Sequence, residues 1–394
     1  MDKWKLTPGD PQEDAPRQTE EKDKRRFLWL GITAAVVLAA VLLAVLWDPT
    51  EFDGLRRRLI YARAAKDENG CARLYQYGSD KSGCFASLDG SLLYLTDTQL
   101  LLEDESGETL YSTGVKFTHA AVTACDTLAA AYDIGGTELY ILDRKGLVRQ
   151  MTCDGTVISA RFNQNGCLAV IAEKSGYKAA VYAYDPEGKL IFEFDSADRF
   201  VITAAVSRDG RSLAAITVGE KDGTFVSRAM VYRMTKTEPT GMCEVNGGIL
   251  YEIDTLGRGY VAVGEDALYF LDSEGNLTTR WPFDSDSLRR CSLTGNGFAA
   301  VLLGRHRAGD RMRLVTLDGD GTVLREIPAD GEVLSVSAAG RYLAVLYSDH
   351  LTIYDKNLTE CAVLEDVTWA KQVLMRSDGS AVLAGSSSAG LYLP

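Results

Sequence analysis

Three histidines, His119, His306 and His350, are the only imidazoles in the 394 residues, and a metal centre or an acid–base site built on imidazole would have to recruit them. They fall in different segments with unrelated flanking patterns, so solvated or capping roles are expected. Asp318-Gly319-Asp320-Gly321 opens like a calcium loop but lacks the later carboxylate ligands. Neither His-Glu-x-x-His, Gly-x-Ser-x-Gly nor a phosphate-cradling glycine loop occurs. The eight cysteines are Cys71, Cys84, Cys125, Cys153, Cys167, Cys243, Cys291 and Cys361, with no Cys-x-x-Cys among them. An even count outside a reducing compartment permits disulfides without requiring them, and buried thiols are the expectation for Cys125 and Cys167. Cys71 with Cys84 is the pair whose bond would lock a closing strand to the first repeat. No catalytic residue, metal or cofactor follows from these residues.

The elements that carry them form a repeat. Turns at Asp89-Gly90, Cys125-Asp126, Asn165-Gly166, Asp209-Gly210, Leu256-Gly257, Thr294-Gly295, Ala339-Gly340 and Asp378-Gly379 each precede an apolar strand, at a period near 41 residues. A second turn, Asp-x-x-Gly, ends at Gly107, Gly146, Gly188 and Gly275, with Asn357 in the equivalent run LTIYDKN. Glycine there supplies positive φ without a β-carbon clash, and asparagine tolerates it. Each unit therefore reads as four antiparallel strands, innermost first, and eight such sheets bury one another around an axis. The predicted fold is all-β, an eight-bladed β-propeller preceded by one transmembrane helix; seven blades stay open if a terminal unit is miscounted. The last unit lacks its outer strand, and residues 71–77 (CARLYQY) are the predicted donor that closes the ring.

SRDGRSLAAI (207–216) and RSDGSAVL (376–383) resemble the hairpins of WD40-like and periplasmic propeller repeats. EKSGYKAAVYAYDPEGK (173–189), GFAAVLLGRHRAGDRMRLVTLD (297–318), GRYLAVLYSD (340–349) and the closing LYLP, with the tail, anchor and LRRRL stub, are similar to an uncharacterised clostridial family of membrane-anchored propellers, DUF5711-like. The resemblance implies a bacterial cell-envelope setting and no activity, substrate or catalytic residue. Propeller enzymes would need more than the chain offers: Ser207-Arg208-Asp209-Gly210 lacks the spacing of a sialidase Asp box. Trp281 and Trp369 are too few for the tryptophan belt that quinoprotein dehydrogenases resemble one another in.

Phe27–Trp47 is an uncharged apolar run, long enough at about 1.5 Å per residue to span a hydrocarbon core of about 30 Å. KDKRR abuts its start, whereas Asp48, Glu51 and Asp53 follow Trp47, so the N-terminus is placed in the cytoplasm. The expected organisation is a cytoplasmic disordered tail (1–26), the membrane helix (27–47), a juxtamembrane linker or short helix (48–70) and an extracytoplasmic propeller (71–394). Forty-two Lys and Arg stand against 55 Asp and Glu, and residues 67–394 hold 30 and 45 of them, a net −15. A body so acidic repels phosphate backbones, so nucleic acid is not an expected partner.

Function then rests on loops. Three connections between second and third strands are long: 173–178, 219–228 and 304–313. They would emerge on one rim carrying Lys174, Tyr177, Lys178, Phe225, Arg305, His306, Arg307, Asp310 and Arg311, and irregular loops on a rigid scaffold are where binding sits. The preferred reading is a non-enzymatic, membrane-tethered scaffold at the bacterial cell surface presenting that rim to a protein or an anionic envelope polymer. The alternative is an envelope glycan or peptide hydrolase using carboxylates such as Asp222 and Asp310. A ligand sensor signalling through the tail is a third class.

Overall fold

The computed structural model describes residues 71–76, 83–88, 90–104, 107–305 and 312–394, together with Trp29, Thr33 and Val36. These last three are helical, the Thr33 hydroxyl donating to the Trp29 carbonyl at 2.7 Å. The expected tail, the rest of the Phe27–Trp47 run and the 48–70 linker lie outside the described residues. Among the described residues no helix is long and apolar enough to cross a membrane.

Arg63–Pro394 forms a compact unit, and among its described residues 32 strands make eight antiparallel sheets of four. Strand β1 is Cys71–Gln76; β2–β5 span 84–114 (blade 1), β6–β9 120–152 (blade 2), β10–β13 157–196 (blade 3) and β14–β17 200–246 (blade 4). Strands β18–β21 span 250–282 (blade 5), β22–β25 287–329 (blade 6), β26–β29 333–364 (blade 7) and β30–β32 370–392 (blade 8). The second strands, such as Leu168–Ala172, Phe298–Gly304 and Tyr342–Tyr347, are buried on both faces and read as near-unbroken apolar runs. Outer strands such as Val323–Ala329 are mostly exposed. Successive blades share apolar clusters: Val206, Leu213 and Phe192 between blades 3 and 4, Val261, Phe270 and Val301 between 5 and 6. Each fully buried Leu or Phe contributes about 1.5–3 kcal/mol, so an isolated sheet would lose most of its stabilisation. The architecture is an eight-bladed propeller.

The Asp-x-x-Gly turns explain themselves in three dimensions. In blade 3 the Gly188 N–H closes on the Asp185 carbonyl at 2.9 Å while the Asp185 carboxylate accepts the Lys189 N–H at 2.8 Å; blade 6 repeats this with Asp318, Gly321 and Thr322. The Asp318 group is thus a turn cap. In blade 7 the expected positive-φ asparagine is corrected: Leu358, one residue later, takes φ 56°. Its side chain is buried in the cluster between blades 6 and 7, and that packing holds the strained backbone.

Strand β1 pairs antiparallel with β32 (Ser388–Tyr392), Tyr75 opposite Ala389 and Gln76 opposite Ser388, as the outermost strand of blade 8. Cys71 therefore starts an outer strand, whereas Cys84 starts the innermost strand of blade 1 (β2, Cys84–Leu88). The two cysteines thus belong to different sheets, one at the outside of blade 8 and the other at the inside of blade 1. The expected Cys71–Cys84 bond is corrected accordingly: Cys84 carries a free thiol, its Sγ donating to the Ala120 carbonyl of blade 2 at 3.2 Å.

The inner strands are edges, and their backbone groups find partners on the neighbouring blade. Thr123 Oγ1 accepts the Phe162 N–H, Ser292 Oγ the Ala338 N–H and Ser337 Oγ the Met375 N–H, at 2.9–3.1 Å. A recurrent bulge near the start of the inner strand, between Val157 and Ser159 in blade 3 and between Leu250 and Glu252 in blade 5, sets the parity that aims these side chains.

Candidate functional site

Because all strands of a blade are antiparallel, second-to-third hairpins and blade-to-blade connections leave one end of the sheets, here the upper rim. First-to-second and third-to-fourth turns leave the other. Of the three long hairpins of the sequence reading, 173–178 and 219–228 are on the upper rim, and residues 306–311 of the third lie outside the described residues. In blade 4, β15 (Ser212–Lys221) and β16 (Thr224–Arg233) outrun their neighbours: β14 (Phe200–Val206) stops pairing at Val218, while Glu220–Phe225 and Lys221–Thr224 continue as a two-stranded ribbon. Asp222 (φ 53°) and Gly223 (φ 76°) turn it.

The ribbon presents Phe225 at 67% exposure. The Gly247 N–H donates to the Phe225 carbonyl at 3.0 Å, and Ser227 Oγ bridges the Gly248 carbonyl and the Leu250 N–H. Those bonds draw the blade 4 to blade 5 connection, which carries exposed Ile249, against the ribbon, and Phe200, 59% exposed, starts β14 opposite Val218. Phe225 on the ribbon and Ile249 on the connection bonded to it are the exposed apolar groups here; Phe200 faces the groove and Lys178 of blade 3, and Tyr251 turns towards Cys291 of blade 6. Burial pushes the Tyr251 hydroxyl up to about 12, so it is a neutral donor at physiological pH. Of these four, the sequence reading found only Phe225. Phe200, Ile249 and Tyr251 sit at strand starts, where an apolar residue outside the alternation was the available signal.

The predicted cations are largely engaged. Lys174 Nζ bonds Glu193 Oε1 at 2.8 Å and both Asp195 oxygens at 2.8–2.9 Å, which holds its ammonium charged well above the usual lysine range. It also sits 5.5 Å from the ring centre of Tyr177, and Lys178 lies 5.0 Å over Phe200. Arg305, three blades from blade 3, is exposed near Asp286 at 3.8 Å. His306, Arg307, Asp310 and Arg311 lie outside the described residues. Of the predicted set, the structure brings together Lys174, Tyr177 and Lys178, with Phe225 on the next blade. The neighbourhood is more aromatic than cationic.

Below Lys174 and Tyr177 the wedge between blades 2 and 3 opens into a groove of about 980 Å³. Tyr182 and Tyr184 of β12 (Ala179–Tyr184) line it, with Asp154, Glu173, Glu193 and Phe200 around its mouth. The connection at 154–156 runs so close to blade 3 that a Cβ on Gly155 would stand 1.8 Å from the Glu173 carbonyl. Burial raises the Tyr182 hydroxyl and pushes that of Tyr184 up to about 12.

A second polar cluster lies on the axis. Arg161 of β10 (Val157–Phe162) reaches past blade 4 to β18 (Leu250–Leu256) of blade 5, donating to Glu252 Oε1 at 2.7 Å and the Ile253 carbonyl at 2.5 Å, with Asp254 at 3.6 Å. Cys291 of blade 6 donates its thiol to Glu252 Oε2 at 3.6 Å. Burial, with Glu252 adding to it, pushes that thiol up to about 12, which leaves it unreactive. Burial also raises the Asp254 carboxyl, against the pull of Arg161. On the lower rim Arg208 of blade 4 bonds Gln164 of blade 3 and, at 3.2 Å, Asn296 of blade 6. The sequence reading missed these residues because they meet only across the ring. His350 stacks on Tyr347 with its Nδ1 2.7 Å from Asp349, apart from His119, whose backbone N–H donates to the Asp133 carboxylate; the described histidines do not converge.

A family model described as a family of unknown function, DUF5711, matches residues 72–362, most of the propeller. The chain belongs to DUF5711. No curated protein matches the sequence. Among solved structures this DUF5711 chain is similar to Sqt1 of Chaetomium thermophilum bound to the N-terminus of the ribosomal protein L10. That match has 12% identity and a TM-score of 0.57, covering 83% of this chain and 100% of that one. It is also similar to the C-terminal WD40 domain of Sif2, with 13% identity and a TM-score of 0.54, covering 78% and 93%. At such identities the likeness concerns the fold alone.

Proposed function

We propose that this DUF5711 chain is a membrane-tethered, extracytoplasmic, non-enzymatic scaffold that binds a protein through the upper rim of its propeller. The observation that carries the reading is the projecting blade 4 ribbon with exposed Phe225, and exposed Ile249 on the connection bonded to it. Exposed apolar groups on an otherwise acidic surface mark a docking site. Sqt1, of the same fold, is bound to a protein N-terminus, which makes a polypeptide partner a reasonable occupant of such a rim. The uncharged Phe27–Trp47 run and the basic KDKRR before it support the tether and its direction.

Crosslinking and recovery of the full chain from intact cells tests the rim. Phe225→Ser with Ile249→Ser, both exposed and outside the core, should reduce the recovered partner at least tenfold at unchanged melting temperature. Equal recovery from variant and wild type refutes the rim as the binding surface. Added protease that digests the propeller only in permeabilised cells overturns the extracytoplasmic placement.

A further inference from the structure

The groove between blades 2 and 3 has polar and aromatic capacity that the fold leaves unused. Neither Tyr182 nor Tyr184 stacks on another ring or bonds through its hydroxyl among the described residues, in contrast to the next wedge, where Phe194 stacks on Tyr232 at 4.6 Å. Of the two lysines of the groove, Lys174 is paired by Glu193 and Asp195, and Lys178 lies over the face of Phe200 without a carboxylate among the described residues. The carboxylates of Asp154 and Glu173, both exposed at the mouth, have no ion pair or hydrogen bond among the described residues. The groove therefore offers two unpaired carboxylates, two unbonded phenol hydroxyls and the outward parts of two rings whose inner parts pack on the cluster between blades 2 and 3, on a domain whose net charge is −15.

That inventory selects a cation, and a flat one best. A guanidinium lies on a tyrosine face and donates in its own plane to carboxylates and hydroxyls. An ammonium gains the charge attraction but loses the stacking fit. An anionic polymer would meet Asp154, Glu173, Glu193 and Asp195 against only Lys174 and Lys178, a net charge of −2. At about 980 Å³, lined from both blades, the groove has room for more than one residue of a bound chain.

We propose that the wedge between blades 2 and 3 seats an arginine-bearing segment of the partner protein, its guanidinium between the Tyr182 and Tyr184 faces and the carboxylates of Asp154 and Glu173. This rests on the protein-binding reading and names the partner's chemistry. The acidic field of the domain steers the segment in, and the groove holds it.

The test uses the full chain in non-ionic detergent and three fluorescein-labelled peptides, Gly-Arg-Gly-Arg-Gly, its lysine counterpart and its glutamate counterpart, read by fluorescence anisotropy. The arginine peptide should bind at least threefold tighter than the lysine peptide, with the glutamate peptide not binding. Asp154→Asn with Glu173→Gln should weaken the arginine peptide tenfold or more, and Tyr184→Leu should remove the arginine preference. Asp126→Asn with Glu187→Gln, which removes two charges from the opposite rim of the same blades, should change affinity less than twofold. Equal losses from the two double variants would reduce the effect to general charge and overturn the site, as would no measurable binding. Maltohexaose competing with the arginine peptide for the groove would overturn it in favour of a neutral glycan. Loss of partner recovery with Phe225→Ser and Ile249→Ser but not with Asp154→Asn and Glu173→Gln would leave the rim reading standing and sink this one.

Discussion

Arg161 is the side chain on which blades 3, 5 and 6 meet. Its guanidinium holds Glu252 and Asp254, and Glu252 in turn takes the Cys291 thiol. Arg161→Met would leave two partly exposed carboxylates facing each other without a cation. With water still reaching them, that uncompensated pair costs about 1–2 kcal/mol at pH 7. Adding Glu252→Gln and Asp254→Asn should restore most of the loss. The sign with pH follows from the same charges: burial already raises Asp254, and removing Arg161 raises it further. A carboxyl whose folded pKa is raised destabilises the fold above that value and ceases to do so as protons bind. The deficit of Arg161→Met should therefore shrink between pH 7 and about pH 4.5. Urea denaturation at the two pH values measures it; a deficit constant with pH would mean that the carboxylates are solvated and the strut is of no consequence.

At the scale of elements, the Asp-x-x-Gly turn shows which force wins when a position departs from its pattern. Leu358 occupies the glycine position at φ 56°, a strain of about 1–2 kcal/mol, yet its side chain is buried between blades 6 and 7, where a leucine contributes about 2–3 kcal/mol. Burial exceeds strain, so Leu358→Gly should destabilise by about 1 kcal/mol in thermal melts although it relieves the backbone; a stabilised variant would show that the turn governs. The turns, the count of blades and the projecting hairpins were legible in the sequence because each is local: a glycine at positive φ, a period near 41, a long polar insertion. Leu358 was not, since asparagine next to it satisfies the local rule and only the neighbouring blade favours leucine. The same limit hid Tyr182 and Tyr184. Their alternation along β12 assigns them to one face, but whether that face meets a ring, as Phe194 meets Tyr232, or open space depends on the width of a wedge set by two other elements. The Lys174, Tyr177 and Lys178 cluster was found from loop length, while its neutralisation by Glu193 and Asp195 depends on cross-strand register.

The propeller is a ring, and a ring has one seam. Blade 8 takes three strands from the end of the propeller and one, β1, from its beginning, with β32 bonded on both sides. Deleting residues 71–76 should lower the melting temperature of the full chain by about 10 °C or more, because it exposes the β32 edge and the face that buried Tyr75 covers. An unchanged melt would show that seven sheets and a three-stranded remnant suffice. The seam also imposes an order on synthesis. Residue 76 leaves the ribosome roughly 310 residues ahead of residue 388, its partner, so the first strand made stays unpaired until the last is delivered. A nascent chain interrupted anywhere in between carries a bare strand that a protease can grip, and only the finished polypeptide can hide it.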